Sequence, residues 1–363
     1  MQINPHANDP ASSEPQPIQA AASWKLPPRG LRARINRGVS FLKGKETLLW
    51  WFHSGYALLF GCGVMWLSAR DFTFVRLIIF YISFIWLSSL LLPFVVHLTR
   101  LTPKWRERAR MTINYFNKNF YQQLLFFLLP VYYASTTLGS RNMAFLILLT
   151  VSAILSTLDV VYDRYVSVRW QLAALFFMFN LFASINVMLP ILWTVSNHRA
   201  LWVSGVLAFG GFASMVYRLS GLRGARVKWL LGAAGCALLL IVVFLPPFIP
   251  PAPLTLAGAE FGRSVRALTV VTPLDAIPST PGKIAVLTSI KAPMGLEETV
   301  RHRWTLDGKV VYVSNYFHVS GGRKEGYRLW SQITWKTETV GHVLMVDVET
   351  QSGQLIGRAR LKN

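Results

Sequence analysis

The sequence predicts a polytopic α-helical membrane bundle of about seven helices, followed by an all-β sandwich of immunoglobulin-like type. Two features predict the bundle: 53% of the 363 residues are hydrophobic, and only 15% are charged, whereas soluble domains usually have about 25% charged residues. The all-β domain is predicted by a change after residue 249, where long apolar runs give way to alternating polar and apolar residues. The expected units are a tail with a basic segment (1–46), a membrane domain (47–249), a Pro-rich stem (250–259) and the β-sandwich (260–363).

The first 46 residues predict neither a membrane span nor a folded element. The stretch up to about Arg29 is rich in Pro, Ala, Ser, Gln and Asn, a composition typical of disordered segments. Seven Lys and Arg residues follow between Lys25 and Lys45, directly before the first apolar run, and indicate an orientation signal beside anionic lipid. No signal peptide is expected, because the first apolar run begins only near Leu48.

The membrane domain contains seven apolar runs, each near the roughly 20 residues that a helix needs to cross a bilayer. Only Gly139 to Arg141 separate the third run from the fourth, so these two are expected to form a tight helical hairpin. The predicted spans are Leu48–Leu67, Val75–Val96, Phe120–Leu138, Asn142–Val161, Trp170–Trp193, Ala200–Tyr217 and Trp229–Ile249.

Basic residues are concentrated in alternate connectors between the apolar runs. Nineteen Lys and Arg residues lie in the connectors on the side of the N-terminus, and four lie on the other side: Arg70, Arg76, Arg141 and Arg199. Because cytoplasmic connectors are enriched in Lys and Arg, this asymmetry predicts a cytoplasmic N-terminus. With an odd number of spans, the β-sandwich is then periplasmic, and the protein belongs in the bacterial inner membrane.

A few polar residues lie inside or at the ends of the predicted spans: His53, Asp159, Asp163, Arg164, Asn180 and Asn186. Intramembrane polar groups are candidates for a functional role, and a transport site is one interpretation. The other interpretation is structural: an interfacial ion-pair cluster for the two aspartates and Arg164, and interhelical hydrogen bonds for the two asparagines. A polar cavity near the centre of the bilayer would favour the first.

The β-sandwich is predicted from short segments with a period of two. Asp307-Gly308 is a hairpin turn signal, and Gly321-Gly322 and Ser352-Gly353 mark further turns. Seven strands at this spacing are typical of an antiparallel sandwich. The predicted strands are Val265–Val271, Lys283–Lys291, Thr299–Leu306, Val310–Val319, Tyr327–Lys336, His342–Thr350 and Gln354–Leu361.

Alternation sorts the candidate ligand-binding residues of the sandwich onto strand faces. His302 and Trp304 share one face of their strand, and Arg303 points the other way, while Arg328 and Trp330 share a face of another strand. Arg and Trp side chains are suited to a glycan or peptide, through bidentate hydrogen bonds and stacking. The alternative is that Trp304 and His302 are core residues. No catalytic set and no metal-ligand spacing is found, so neither an enzyme nor a metal or cofactor site is expected.

Short motifs in this half of the chain resemble a known family. They are His302-Arg303-Trp304, Asp307-Gly308, the run from Tyr327 to Ser331, and then Gly341, Val346, Val348 and Gly353 to Gly357. In this order they resemble the bacterial family called domain of unknown function 2914, and the front of the chain resembles the membrane half of proteins that carry this domain. The resemblance implies an inner-membrane protein with a small β domain, and it implies no activity.

These observations favour a non-enzymatic membrane protein whose β-sandwich binds an envelope protein or peptidoglycan. A small-molecule or lipid transporter is the alternative, with the sandwich as an accessory domain. A membrane enzyme acting on lipid would have only Asp159 and Asp163 as candidates. The net charge of +21 does not predict nucleic-acid binding, because most of the basic residues lie between apolar runs, beside the lipid bilayer.

Overall fold

A computed structural model describes residues 122, 124–158, 161–166, 168–219, 224–336 and 343–362, together with single positions between 55 and 63. The first two predicted spans lie outside these residues, apart from the single positions. The tail, His53, Asp159 and His342 also lie outside them.

The described part of the membrane domain consists of apolar helices joined by short connectors. We number them α1 (Leu124–Ala134), α2 (Met143–Thr157), α3 (Trp170–Trp193), α4 (Asn197–Leu219) and α5 (Ala225–Phe244). A π-helical turn, Tyr162–Val166, links α2 to α3, and a 3-10 turn, Pro246–Phe248, follows α5. Gly211 of α4 lies close to α3, since a Cβ atom there would come within 2.7 Å of Leu181 and Phe177.

Three of these helices, α3, α4 and α5, are long and apolar enough to cross a membrane. The expectation of seven spans is therefore not supported, because α1 and α2 are shorter apolar helices where the third and fourth spans were predicted. In the last turn of α2, the hydroxyls of Ser156 and Thr157 donate to the carbonyls of Ala153 and Ile154. The carbonyl of Ile154 also accepts the backbone N–H of Leu158, so these hydroxyls add to the backbone hydrogen bonds of the last turn.

The exposed surface of the helices suits a bilayer. α5 fully buries only Val227 and Val242, so most of its apolar side chains face outward. Large aromatic side chains are exposed near both ends of the bundle: Tyr133, Trp193 and Trp202 at one end, and Tyr165, Tyr217 and Trp229 at the other. Apolar helices flanked by two aromatic belts are typical of membrane proteins.

The C-terminal region is all-β and has two antiparallel sheets. The first sheet has the order β2-β1-β3-β7, and the second has the order β5-β4-β8-β9, with β6 also paired to β4. The strands are β1 (Thr255–Arg266), β2 (Thr269–Pro273), β3 (Gly282–Lys291), β4 (Glu297–Leu306), β5 (Lys309–Val313), β6 (Phe317–Ser320), β7 (Tyr327–Trp335), β8 (Val343–Thr350) and β9 (Leu355–Lys362).

The two sheets pack face to face around a shared apolar core. Ile284 and Val286 come from the first sheet, and Trp304, Leu344 and Val346 come from the second; all five side chains are fully buried. The core forms because each strand alternates, so that one face of each sheet is apolar. We call this two-sheet unit the β domain.

Two of the predicted strands differ from the structure. The segment Val265–Val271 is the tip of the β1–β2 hairpin, because Ala267 and Leu268 both adopt positive φ and reverse the chain. The segment Val310–Val319 is two strands, β5 and β6, interrupted where Ser314 turns to accept a hydrogen bond from the backbone of His302. The first strand begins at Thr255, inside the segment expected to be a Pro-rich stem.

The β domain is fixed to one end of the helices by hydrogen bonds from three connectors. Asn142, before α2, donates to the carbonyl of Leu355 at 3.1 Å. The backbone N–H of Asn197, at the start of α4, donates to Glu298 of β4 at 2.7 Å, and Gln354 donates to the carbonyl of Ile249, after α5, at 3.1 Å. The connector that contains Arg141 and the first turn of α4, which contains Arg199, thus lie at the same end of the bundle as the β domain.

Candidate anion-binding site

The predicted ligand-binding residues His302 and Trp304 lie in the core of the β domain. Both side chains are fully buried, and they join a polar network between the two sheets. Trp304 Nε1 donates to Ser331 Oγ at 2.9 Å, and the two ring nitrogens of His302 contact Ser331 Oγ at 2.7 Å and Thr288 Oγ1 at 2.9 Å. Neither side chain is accessible to a ligand in this arrangement.

The hydrogen bonds of this network define the tautomer of His302. Ser331 accepts from Trp304, so its own hydroxyl is available to donate to His302 Nδ1. Nε2–H then donates to Thr288, whose hydroxyl in turn donates to the carbonyl of Leu329 at 3.3 Å. With a neutral imidazole, the hydrogen-bonding groups of Trp304, Ser331, His302 and Thr288 in this network all have partners. Burial lowers the pKa of His302 to about 4, in agreement with this assignment.

The remaining candidates of the β domain lie on opposite outer faces. Arg303 points outward from β4, whereas Arg328 and Trp330 point outward from β7 in the other sheet. Arg328 is paired with Glu325 at 2.9 Å, and Trp330 is 39% exposed. Since the whole core separates the two faces, Arg303 does not form one site with Arg328 and Trp330.

The polar residues of the membrane domain are also dispersed. Arg164 lies in the π-helical turn with its guanidinium 5.9 Å from the ring centre of Tyr165, and Asp163 belongs to the same turn. Asn186 is buried in α3 and donates to Tyr132 Oη at 3.2 Å, while Tyr132 donates to the carbonyl of Ala183 at 2.9 Å. This is the interhelical hydrogen bonding expected from the sequence.

Asn180 differs from Asn186. It is 1% exposed, and neither polar atom of its side chain has a hydrogen-bond partner within the part of the chain that the structure describes. An unpaired buried amide is costly in an apolar bundle.

A polar cavity of about 600 Å³ lies between the helix ends and the outer face of β4, β8 and β9. Its helix side is the connector Gly139 to Arg141 together with Pro247. The charged side chains that line it are Arg141, Arg301, Arg303, Arg358, Asp347 and Glu349. We call it the arginine cavity.

Strand register builds the charged wall of the arginine cavity. Arg301 is opposite Glu349 and Arg303 is opposite Asp347 in the β4–β8 pair, and Arg358 is opposite Asp347 in the β8–β9 pair. Arg358 donates two hydrogen bonds to the carboxylate of Asp347, from Nε at 2.5 Å and from Nη2 at 2.8 Å. Glu349 is shared by Arg301 at 3.0 Å and Arg303 at 3.9 Å.

The arginine cavity carries an excess of positive charge. Four guanidinium groups face two carboxylates, which leaves two positive charges without a counter-charge in the wall. Arg141 has no carboxylate partner among the described residues, and Arg303, with 44% of its side chain exposed, holds only the longer contact to Glu349. These two residues therefore have donors available for an anion such as a phosphate or a carboxylate.

The sequence prediction contained part of this site. Arg303 is a sequence-predicted candidate, and the same alternation along β4 and β8 puts Arg301, Asp347 and Glu349 on outward faces. Arg141 was counted only as a charge in a connector, and Arg358 was not singled out. Their link to Arg303 depends on the register of three strands and on the docking of the helices, which no local pattern encodes.

A second cavity, about 340 Å³, lies within the helices directly behind the connector Gly139 to Arg141. Its lining is apolar and includes Ala144, Phe145, Phe179, Ile241 and Phe248. We call it the apolar cavity. The guanidinium of Arg141 lies 6.0 Å from the ring centre of Phe248, so one aromatic side chain lies between the two cavities.

Glu298 is an acidic side chain buried where the β domain meets the start of α4. It is 4% exposed and accepts the N–H of Asn197 at the N-terminus of α4. Burial raises the pKa of Glu298, and the hydrogen bonds from Asn197 and Thr299 oppose this shift only in part. Its geometry indicates a docking role.

The described residues include no cluster of three or more His, Cys, Asp or Glu side chains that could hold a metal ion. Three apolar helices long enough to cross a membrane, joined to a two-sheet β domain, are compatible with the class of membrane proteins that carry an all-β unit. The chain belongs to the family of unknown function DUF5924, which matches residues 34–271. Residues 297–362 match the protein family of unknown function DUF2914, as the sequence motifs indicated. No curated protein and no solved structure matches the chain.

Proposed function

We propose that this protein is a non-enzymatic, multi-pass protein of the bacterial inner membrane, with a cytoplasmic N-terminus and an immunoglobulin-like β domain on the periplasmic face. The β domain binds an acidic partner there, either an envelope protein or a cell-wall glycan. The observation that carries this proposal is the arginine cavity, with two uncompensated positive charges at the junction of helices and β domain.

Two further observations support the proposal. The connectors with few basic residues, around Arg141 and Arg199, lie at the same end of the bundle as the β domain, as a periplasmic location requires. The side-chain contact of Ser331 with His302 is fully used within the core network of the β domain, which favours a binding role over catalysis.

A photo-crosslinking amino acid placed at two positions in living cells tests this proposal. Val310 lines the arginine cavity and is 47% exposed, whereas Gln332 lies on the opposite outer face. We expect crosslinks to an envelope protein or to peptidoglycan from position 310 and not from position 332. Arg303→Gln should weaken the crosslinking from position 310. Equal crosslinking from both positions would show that the cavity does not select the partner.

A transporter of lipid or another small molecule is the second candidate. The unpaired amide of Asn180 in α3, together with the apolar cavity, favours it. A transporter predicts that Asn180→Leu abolishes substrate accumulation in vesicles at unchanged protein level. An effect on protein level alone would assign Asn180 to helix packing.

A further inference from the structure

The two cavities described above are neighbours with opposite chemistry. The connector Gly139 to Arg141 lines the arginine cavity, and the residues that follow it, Ala144 and Phe145, line the apolar cavity. Pro247 faces the arginine cavity, and the next residue, Phe248, faces the apolar cavity. A molecule with a charged end and an apolar end could therefore occupy both at once.

The positions of the two cavities define which end of such a molecule, charged or apolar, would enter which cavity. The apolar cavity is formed by α2, α3, α4 and α5, whose outer surfaces are apolar, and it lies near the helix ends that carry the β domain. The arginine cavity lies beyond those ends, on the β domain. This order, apolar within the helices and cationic at their ends, matches the order of acyl chain and phosphate in a bilayer leaflet.

The charges determine the class of headgroup. Arg301 and Arg358 are held by Glu349 and Asp347, so the donors left over are those of Arg141 and Arg303. Arg141, which has no carboxylate partner among the described residues, and Arg303, whose contact to Glu349 is 3.9 Å long, complement one phosphodiester or phosphate group, which accepts bidentate hydrogen bonds from Arg. A zwitterionic headgroup would add a positive amine beside them and would fit less well.

We propose that the arginine cavity and the apolar cavity together bind one anionic phospholipid, with its phosphate at Arg141 and Arg303 and an acyl chain in the apolar cavity. This inference rests on the proposed function, because it assigns a ligand to the same arginines. It goes beyond that function in making the site amphiphilic.

Native mass spectrometry of the full chain in detergent tests the inference, with phosphatidylglycerol and phosphatidylcholine of identical acyl chains as probes. We expect the protein to retain phosphatidylglycerol in preference to phosphatidylcholine. In Arg141→Gln/Arg303→Gln, the pairs Arg301–Glu349 and Arg358–Asp347 stay intact, and affinity for phosphatidylglycerol should fall by about tenfold or more, as expected for lost charge-assisted hydrogen bonds. Arg141→Gln alone should give a smaller loss in the same direction. Arg328→Gln, on the opposite face, is the charge-matched control for Arg141→Gln and should bind like the wild type.

The apolar end is tested separately. Ala144 is exposed at the mouth of the apolar cavity, so Ala144→Phe should fill it without disturbing the core and should displace phosphatidylglycerol. Ala233→Phe places the same side chain on the exposed surface of α5 and should leave binding unchanged.

Soluble muropeptides, which have carboxylates and no acyl chain, separate this inference from the proposed function. Ala144→Phe should bind them normally, whereas Arg141→Gln/Arg303→Gln should not. Retention of phosphatidylglycerol by Ala144→Phe, or equal retention of both lipids by the wild type, would overturn the lipid inference and leave the proposed function standing. If Arg141→Gln/Arg303→Gln bound both lipid and muropeptide normally, both proposals would fall.

Discussion

Acid should destabilise the β domain through His302, a residue that no ligand can reach. The pKa of His302 is lowered by burial from 6.5 in the unfolded chain to about 4 in the folded one. Above pH 6.5 the imidazole is neutral in both states and has no effect on the pH dependence. Between pH 6.5 and 4 only the unfolded state binds the proton, so stability falls as the pH falls, by up to about 3 kcal/mol in total.

The variant His302→Gln isolates this effect, because glutamine also offers one donor and one acceptor but does not titrate. We expect the wild type to lose stability below pH 6.5 more steeply than His302→Gln, and the two to run parallel above pH 7.5. Both proteins contain Glu298, whose raised pKa lowers stability as the pH rises, so its contribution cancels when their pH profiles are compared.

Hydrogen exchange of the full chain in detergent measures the stability locally, in peptides that cover β4 and β7, after correction for the intrinsic pH dependence of exchange. Thr334→Ser, on the exposed face of β7, should retain the wild-type pH dependence. Identical pH slopes for wild type and His302→Gln would refute the assignment of a neutral, acid-sensitive histidine.

Three other substitutions test the docking, the loops and the helix packing. Glu298→Gln keeps an acceptor for the N–H of Asn197. Because the pKa of Glu298 is raised in the folded state, the wild type loses stability as the pH rises above 4.5, and the variant should not. Hydrogen exchange of the β4 peptide at pH 8 should therefore be slower in Glu298→Gln than in the wild type. Gly321→Ala should destabilise the β domain by about 2 kcal/mol or more, since its Cβ would lie 2.0 Å from the backbone oxygen of Pro293; a thermal melt that matches the wild type would contradict this. Tyr132→Phe removes the hydrogen bonds to Ala183 and Asn186 and should cost about 1 kcal/mol in denaturant unfolding, with Tyr133→Phe, at an exposed position, as the control.

Period-two alternation predicted most of the β domain, because burial on one face of a strand leaves a direct trace in the sequence. His302 and Trp304 share one face of β4 and Arg303 lies on the other, as alternation predicted, whereas only the structure shows that the face of His302 and Trp304 is the buried one. The turn at Asp307-Gly308 is also confirmed, with positive φ at both residues. The β1–β2 turn left no such trace, since Ala267 and Leu268 adopt positive φ without Gly or Asn at either position.

The membrane domain and the site were less predictable for different physical reasons. Hydropathy locates apolar runs, but it does not show where within a run a helix ends, as α2 does at Thr157. The arginine cavity unites residues more than 200 positions apart, from Arg141 to Arg358, through register and docking. Counting charges places Arg141 on one side of the predicted membrane domain, but only the tertiary structure shows that Arg141 lines the arginine cavity.

The β domain is fastened at three points of the helical region: Asn142 before α2, Asn197 at the start of α4 and Ile249 after α5. Three non-collinear anchor points define a plane, so the domain has no freedom to tilt or swivel unless an anchor breaks. The distance between the helix ends and the arginines of the β domain is consequently a constant of the architecture, and a ligand that contacts Arg141 and Arg303 together must span that fixed distance.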